Sequence, residues 1–280
     1  MSIRFACLGP AGTFSDQAAR LYLALKKEKA DVVYLPTIDD VLISIEENKN
    51  DQAIVPVENL VEGSINETLD FLAKSNKISI IGELDMNIHH NLIGLPGTKL
   101  KDIKTVVSLA QPIAQCRKFL KTALPGANIE YTQSTAAATQ LVAEKKDKTI
   151  AAIGSDYNLK QLGLAVLQSN ISDINNNQTR FLIIDNKPLL EKGTKVSIVF
   201  ATDRDVPGGL YRILQEFAQR NINLTKIESR PTKDYLGTYL FFLDFQGHLL
   251  QNEVREALDN IRKKTTFFKI LGVYEVVSEC

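Results

Sequence analysis

A short polar segment followed by a strongly apolar run decides the class of fold: Asn177-Gln178-Thr179-Arg180-Phe181, continued by Leu182-Ile183-Ile184. The apolar part predicts a buried strand. A polar pair at the mouth of a buried strand is where α/β proteins usually place their chemistry. Arg180 can bind a carboxylate through two parallel hydrogen bonds, and Thr179 can donate a hydrogen bond to a leaving oxygen. Taken alone, these residues fit an edge-strand threonine and a surface arginine better.

The chain before this segment alternates apolar runs with helical patterns. Residues 3–8, 32–35 and 53–57 predict strands, and apolar residues at helical spacing separate them. This β-α-β-α-β order predicts a parallel sheet covered by helices. A second set of predicted strands follows, at 78–81, 106–108, 129–132 and 150–153. Periodicity alone does not show how the two sets divide.

The last third of the chain has its own pattern. Residues 186–194 are polar and contain Pro188 and Gly193, so they predict a linker. Beyond them, strands are predicted at 196–202, 224–229, 239–245 and 267–276, with helices after the first and third strands. This β-α-β-β-α-β order predicts a ferredoxin-like domain.

Bulk composition excludes several classes of protein. The chain has 280 residues, 44% of them hydrophobic and 24% charged, which is ordinary for a globular protein with a real core. A formal net charge of zero argues against a nucleic-acid-binding protein, which would carry a basic excess. We find no export leader and no apolar stretch approaching ~18 residues, so a cytoplasmic protein that does not bind membranes is expected.

Cysteines and histidines give no sign of a metal site or of a disulfide framework. The three cysteines are odd in number and scattered, so reduced thiols are expected. They lack metal-ligand spacing with the histidines. These residues are Cys7, Cys116, Cys280, His89, His90 and His248.

Four further segments, at residues 8–15, 55–59, 62–70 and 228–231, stand in register with residues 177–181. Together they resemble prephenate dehydratase with a C-terminal ACT domain, over essentially the whole chain. The resemblance implies conversion of prephenate to phenylpyruvate, with loss of carbon dioxide and water and without a cofactor, in phenylalanine biosynthesis. It also implies a catalytic domain at 1–185 that forms two lobes of the type-II periplasmic-binding-protein kind, with the site in the cleft. The first lobe is expected at about 1–80 and 165–185, the second at about 81–164, and the ACT domain at 195–280.

The resemblance assigns roles to individual residues. Thr179 and Arg180 are the catalytic candidates: Thr179 would donate to the leaving hydroxyl, and Arg180 would anchor the substrate. Helix capping is the alternative for Thr13 or Ser15, for Ser64 with Glu67, and for Ser134. The substrate-binding candidates are Thr13, Ser15, Asn59, Ser64, Ser134, Thr135, Asn177 and Phe181.

Two positions depart from the family pattern. Leu60 stands where relatives often carry a small hydroxyl residue, and Ser108-Leu109-Ala110-Gln111 lacks the histidine of a Ser-His-Pro pattern. We therefore assign no catalytic role to residues 108–111. Gln115-Cys116 matches the family and is predicted to pack its helix.

The resemblance also implies a homodimer or homotetramer. In it, L-phenylalanine would regulate the enzyme by binding at an interface between paired ACT domains. Small residues at the start of a helix expose N–H groups to a carboxylate, and a charged strand end suits a zwitterion. The candidate allosteric residues are Gly208, Gly209, Leu210, Glu228, Ser229 and Arg230. An arogenate dehydratase and a non-catalytic cytosolic amino-acid sensor are the alternatives for function.

Overall fold

The computed structural model describes residues 2–174, 176–202, 207–232 and 239–278. The strands within these ranges are β1 (Ile3–Leu8), β2 (Ala30–Leu35), β3 (Gln52–Asn59), β4 (Gly63–Ser64), β5 (Ser79–Asn87), β6 (Asn91–Gly94), β7 (Thr105–Ser108), β8 (Asn128–Tyr131), β9 (Ile150–Gly154), β10 (Ala165–Gln168), β11 (Gln178–Asp185), β12 (Lys195–Thr202), β13 (Leu224–Pro231), β14 (Tyr239–Gln246) and β15 (Thr265–Ser278). The helices are α1 (Phe14–Lys26), α2 (Ile38–Glu46), α3 (Asn66–Lys74), α4 (Ala110–Gln115), α5 (Arg117–Ala123), α6 (Thr135–Lys145), α7 (Gly209–Ala218) and α8 (Asn252–Lys263).

Two sheets organise the first two thirds of the chain. In the first lobe β1 pairs in parallel with β2 and β3, as the β-α-β-α-β pattern predicts, while β11 pairs antiparallel with β3 and β5. The second lobe has a separate sheet in the order β10-β6-β9-β7-β8. Apolar residues of α1, α2 and α3 pack against the first sheet, and those of α4, α5 and α6 against the second. The two-lobed α/β architecture is therefore confirmed.

The chain passes between the lobes later than the resemblance implies. β5 stays in the first sheet up to Asn87, where it pairs with β11, and the second sheet begins with β6. The return follows β10, which belongs to the second sheet and ends at Gln168. The crossings thus lie after Asn87 and after Gln168, beyond the predicted positions near 80 and 165. An apolar run reveals burial, but it does not reveal which sheet buries it.

The C-terminal region, residues 195–278, has the predicted ferredoxin-like fold. Its strands lie in the order β13-β14-β12-β15 with antiparallel pairing, and α7 and α8 cover one face. If β12 to β15 are numbered 1 to 4 along the chain, the strand order counted from β15 to β13 is 4-1-3-2. The β-α-β-β-α-β pattern was sufficient to predict it because each element is short and clearly periodic.

Residues 186–194 connect β11 to β12, but they do not separate two independent bodies. The long strand β15 pairs with β12 along its first part and in parallel with β5 along its last part. A Cβ at Gly272, where β15 begins to pair with β5, would lie 2.2 Å from the Ile80 carbonyl oxygen, so only glycine fits there. The first lobe and the C-terminal region therefore share one sheet of ten strands.

The same two regions also share a hydrophobic core. Val199, Phe242, Leu271 and Tyr274 of the C-terminal region pack into the cluster that contains the apolar residues of α2 and α3. Full burial of an aliphatic or phenylalanine side chain contributes ~1.5–3 kcal/mol, part of which here comes from the contact between the regions. Displacement of the C-terminal region would consequently be transmitted to the first lobe.

Candidate active site in the cleft between the lobes

A cleft of about 340 Å³ lies between the two lobes. Both lobes and both connections between them contribute side chains, which suits a small polar molecule. Seven of the eight predicted substrate-binding residues line it, together with Thr179. Those seven are Thr13, Ser15, Asn59, Ser134, Thr135, Asn177 and Phe181.

The first turns of two helices face this cleft from opposite lobes. Thr13 caps α1, since its Oγ1 accepts from the Asp16 amide at 3.3 Å, and Ser134 caps α6 by accepting from the Ala137 amide at 3.0 Å. Ser15, by contrast, lies inside α1 and caps nothing. A helix leaves its first amides without partners in the helix, and these amides favour anions. Two such termini at one cleft suit a ligand that carries two carboxylates.

Thr179 is held by Asn59 across two neighbouring strands. The Asn59 Nδ2 donates to Thr179 Oγ1 at 2.8 Å, while its Oδ1 accepts from the amides of Val61 and Glu62. These two amides fix which end of the Asn59 side chain faces Thr179. Because Thr179 Oγ1 accepts from Asn59, its own proton remains available, and it has no acceptor within the described part of the chain. Thr179 is 8% exposed, so the hydroxyl is largely shielded from bulk water.

The hydrogen-bond network continues from Asn59 into the second lobe through Gln115. Asn59 Nδ2 also donates to Asn177 Oδ1 at 2.9 Å, and Asn177 Nδ2 donates to Gln115 Oε1 at 3.2 Å. Gln115 Nε2 donates in turn to Glu62 Oε1 at 3.0 Å. The prediction that Gln115 and Cys116 pack their helix therefore holds for the buried Cys116 but not for the polar end of Gln115. Its polar end joins α4 to the first lobe, and the Gln-Cys match to the family was the signal for it.

His90 is a cleft residue that the sequence reasoning missed. It is 3% exposed, and its Nε2 lies 2.9 Å from Gln115 Oε1. Since Gln115 Nε2 faces a carboxylate, Gln115 Oε1 is the end that faces His90, so His90 Nε2 must be the donor. Burial lowers the pKa of the imidazole, which keeps it neutral. His90 Nδ1 then carries a buried lone pair, which has no partner among the described residues.

Arg180 does not face the cleft. Consecutive residues of a strand point to opposite faces, and Arg180 projects from the face of β11 opposite to Thr179 and Phe181. There it forms ion pairs with Glu58 at 2.9 Å, Glu83 at 3.1 Å and Asp85 at 3.3 Å. This placement contradicts the hypothesis that Arg180 anchors the substrate. The adjacency of Thr179 and Arg180 in the sequence gave the wrong expectation because strand alternation separates them.

Ser64 lies on that same far side and not in the cleft. It neither binds at the cleft nor caps α3, whose N-cap position is Ile65 with no side-chain hydrogen bond. Its hydroxyl donates instead to Glu228 Oε2 of the C-terminal region. Both predicted roles of Ser64 are replaced by this contact between regions.

The structure divides the predicted allosteric residues into two groups. Gly208 adopts a φ of +76° just before α7, which begins at Gly209 and continues with Leu210, as predicted for an exposed helix start. Glu228 and Arg230, however, face the first lobe: Glu228 accepts from Ser64, and Arg230 pairs with Asp70 at 2.8 Å. Ser229 lies on the other face of β13, opposite Phe241 of β14. The two charges proposed for a zwitterion are thus already engaged with the first lobe.

The remaining sequence expectations concern exposed and sulfur-containing residues. Leu60 is 61% exposed and does not line the cleft. Cys7 and Cys116 are free and buried, and burial raises the pKa of each thiol to about 12, while Cys280 lies outside the described residues. Within the described ranges, no group of His, Cys, Asp and Glu is suited to a metal ion. No helix there has the length and apolar character to cross a bilayer.

Comparison with known proteins bears directly on this cleft. The prephenate dehydratase family model matches residues 5–189, and the ACT domain model matches residues 197–263. The prephenate dehydratase of Methanocaldococcus jannaschii is 43% identical over 270 residues, covering 95% of this chain and 96% of that protein. The prephenate dehydratase of Lactococcus lactis is 33% identical over 281 residues, covering 99% of each chain.

A solved structure agrees with both matches. The prephenate dehydratase of Arthrobacter aurescens in complex with L-Phe superposes with a TM-score of 0.87 at 33% identity, covering 98% of this chain and 90% of that one. The family of enzymes, the two-lobed domain and the ACT domain therefore agree in sequence and in structure. This chain belongs to the prephenate dehydratase family and carries an ACT domain at its C-terminal end.

Proposed function

We propose that this protein converts prephenate to phenylpyruvate, carbon dioxide and water, in the biosynthesis of L-phenylalanine. The electrons of the breaking bond to the ring carboxylate complete the aromatic ring, and the ring hydroxyl leaves with its electron pair. One proton delivered to that hydroxyl makes it water. The gain of aromaticity drives the reaction, so the enzyme must position the substrate and assist the leaving hydroxyl.

The hydroxyl of Thr179 is the observation that carries this proposal. Its oxygen accepts from Asn59, and its proton is free toward the cleft side of β11. We assign it the role of donor to the leaving hydroxyl. A positioned donor or general acid contributes ~10²–10⁴-fold in rate. Because a threonine hydroxyl is itself a weak acid, a water molecule delivers the proton that makes the leaving group neutral.

The capped starts of α1 and α6 support binding of a dianion. We assign the pyruvyl carboxylate to one of these helix starts, where amides and the helix dipole supply positive potential. The ring carboxylate must not meet a cation, since a salt bridge to the departing group would stabilise the ground state more than the transition state. The placement of Arg180 on the opposite face of β11 agrees with this requirement.

Incubation of the purified protein with prephenate tests the proposal directly. Phenylpyruvate is measured by its enolate absorbance in alkali, and arogenate is run in parallel with phenylalanine as the product. Faster turnover of prephenate than of arogenate supports the proposal. Turnover of arogenate alone would replace it with the arogenate reaction, and turnover of neither would favour the amino-acid sensor.

We further propose that L-phenylalanine inhibits the enzyme by binding to the ACT domain of a cytoplasmic homodimer or homotetramer. The exposed start of α7, at Gly208, Gly209 and Leu210, supplies amides for the amino-acid carboxylate. Support comes from the A. aurescens relative, whose structure contains L-Phe.

A charge reversal at the start of α7 tests this regulatory proposal. Among the described residues, the atoms nearest to a Cβ at Gly209 belong to Thr202, at 3.7 Å and beyond, which is ordinary van der Waals contact, so Gly209→Asp fits them sterically. The new carboxylate would repel that of L-phenylalanine, and we expect the calorimetric Kd to rise at least ~10-fold, the equivalent of about 1.4 kcal/mol. An unchanged Kd, with L-phenylalanine competing against prephenate, would place the inhibitor in the cleft instead.

A further inference from the structure

A cluster of buried and half-buried charged side chains lies on the face of β11 and β3 opposite to Thr179 and Asn59. In the pairing of β11 with β3, Thr179 is opposite Asn59 and Arg180 is opposite Glu58. The first pair faces the cleft, and the second pair faces the C-terminal region. Any movement of the Arg180–Glu58 pair is therefore passed to Thr179 and Asn59 through one residue of backbone on each strand.

The C-terminal region adds two lysines to this cluster, Lys195 and Lys226, each of which also lies near a carboxylate of its own region, Asp244 and Glu228 respectively. Lys226 Nζ lies 3.2 Å from Glu58 Oε2, the same oxygen that Arg180 Nη1 contacts at 2.9 Å. Lys195 Nζ lies 2.7 Å from Glu83 Oε1, which Arg180 Nε contacts at 3.1 Å. Arg180 therefore shares each of two carboxylates with a lysine from the other region.

The charges of the first lobe do not balance without these lysines. Glu58, Glu83 and Asp85 all contact Arg180, so three carboxylates of the first lobe surround one cation of that lobe. Glu83 and Lys195 are the deeply buried members of this cluster, and electrostatic interactions of such buried groups are stronger than those in water. Glu228 contacts the outer side of Lys226 at 3.2 Å and orients it toward Glu58.

We infer that Lys226 is a positioning residue for the dehydratase reaction: by holding Glu58 against Arg180, it sets the relative position of Asn59 and Thr179 on the opposite face. The inference rests on the proposed function. Loss of the ammonium leaves Glu58 bound to Arg180 alone and changes the position of Arg180 among its three carboxylates. The effect falls on the orientation of Thr179, which acts in the transition state, so kcat changes while substrate binding does not.

Three variants of the full chain test the inference. Lys226→Met removes the charge and keeps most of the side-chain volume, and Lys226→Arg restores a cation. Asp70→Asn is the matched control, because it breaks the ion pair of Asp70 with Arg230, which is on the same face of β13, but Asp70 lies in α3 and not on β3 or β11. We expect Lys226→Met to lower kcat ~3- to 10-fold with KM within ~2-fold, as for an oriented group displaced slightly from its productive geometry. Lys226→Arg should recover most of that loss, and Asp70→Asn should leave kcat unchanged.

Two further variants distinguish positioning through Glu58 from a general loss of stability. If Lys226 acts through Glu58, then Glu58→Gln and Glu58→Gln/Lys226→Met should have the same kcat. Additive losses in the double variant would overturn the inference. Equal losses of kcat in Lys226→Met and Asp70→Asn would overturn it as well.

Amide hydrogen exchange tests the positioning claim without any use of catalysis. We expect the peptide that spans β11 to exchange faster in Lys226→Met than in the wild type, and at the wild-type rate in Asp70→Asn. Unchanged exchange of β11 in Lys226→Met would refute the inference even in an active enzyme. If the wild type did not consume prephenate, the proposed function would fail, while the exchange result would still decide whether Lys226 holds β11.

Discussion

Replacement of Thr179 by valine is the most direct perturbation of the proposed chemistry. Valine keeps the β-branched shape that a strand favours and removes only the hydroxyl. If that hydroxyl assists the leaving group, kcat should fall by ~10²–10⁴-fold, which corresponds to about 3–5 kcal/mol of transition-state stabilisation. KM for prephenate should stay within ~3-fold, because the interaction develops mainly in the transition state.

The structure also predicts a small effect of Thr179→Val on stability. Asn59 Nδ2 loses Thr179 Oγ1 but keeps Asn177 Oδ1 at 2.9 Å and the Gln178 carbonyl at 3.3 Å, so this donor remains satisfied. The cost is then that of one hydrogen bond, ~1 kcal/mol, and the melting temperature should fall by only ~2–4 °C.

The assay follows phenylpyruvate formation under saturating prephenate and is paired with thermal unfolding of each variant. Thr179→Ser is the control, because it keeps a hydroxyl at the same position and should retain activity within ~10-fold of the wild type. A loss in Thr179→Val smaller than ~10-fold would remove Thr179 from the mechanism. Equal losses in the valine and serine variants would show that the hydroxyl alone does not account for the effect of Thr179 on the rate.

Three further predictions follow from other parts of the structure. Lys195→Met leaves Glu83, which is 1% exposed, with Arg180 as its remaining cation. We therefore expect the free energy of unfolding to fall by ~3 kcal/mol, measured as a fall in melting temperature of ~6–12 °C. Burial raises the pKa of Glu83 above its usual 4.5, and loss of Lys195 removes a charge that lowers it. The lone carboxylate therefore takes up a proton more readily at pH 5, and the loss of stability should be larger at pH 8 than at pH 5; a pH-independent loss would contradict this. Burial lowers the pKa of His90 below 6.5, so the unfolded chain takes up the proton first and stability declines as the pH falls. We expect His90→Gln to flatten the decline in melting temperature between pH 7 and pH 5. Identical slopes in the variant and the wild type would assign that decline to other groups. Leu60→Ser should leave turnover within ~2-fold, since the side chain is 61% exposed and outside the cleft, and a clear gain in turnover would show that a hydroxyl there reaches the reaction.

Local pattern predicted the elements that are short and strongly periodic. The β-α-β-α-β order of the first lobe and the ferredoxin-like order of the C-terminal region were both readable, because apolar spacing reports which face of each element is buried. The passages between the lobes were not readable in the same way. β5 and β6 are both largely buried, and only their hydrogen-bonded partners show that they belong to different sheets.

Sequence reasoning predicted those residues of the candidate site that cap a helix or end a strand at the cleft. Thr13, Ser134, Asn59 and Thr179 all lie in the cleft as predicted. His90 was missed, because a histidine without ligand spacing to other residues gives no local sign of the partner that orients it. Its role became visible only when α4 brought Gln115 within 2.9 Å.

Sequence by itself determined the family of this protein, its two kinds of α/β architecture and most of the residues that line the cleft, because these depend on local spacing and short motifs. Tertiary structure alone decided the side on which each polar residue acts. Thr179 and Arg180 are neighbours in the chain, yet the alternation of β11 assigns one to the cleft and the other to the charge cluster. Ser64, Glu228 and Lys226 meet across ~160 positions of sequence because β13 packs over β4, and no local pattern encodes a contact at that separation.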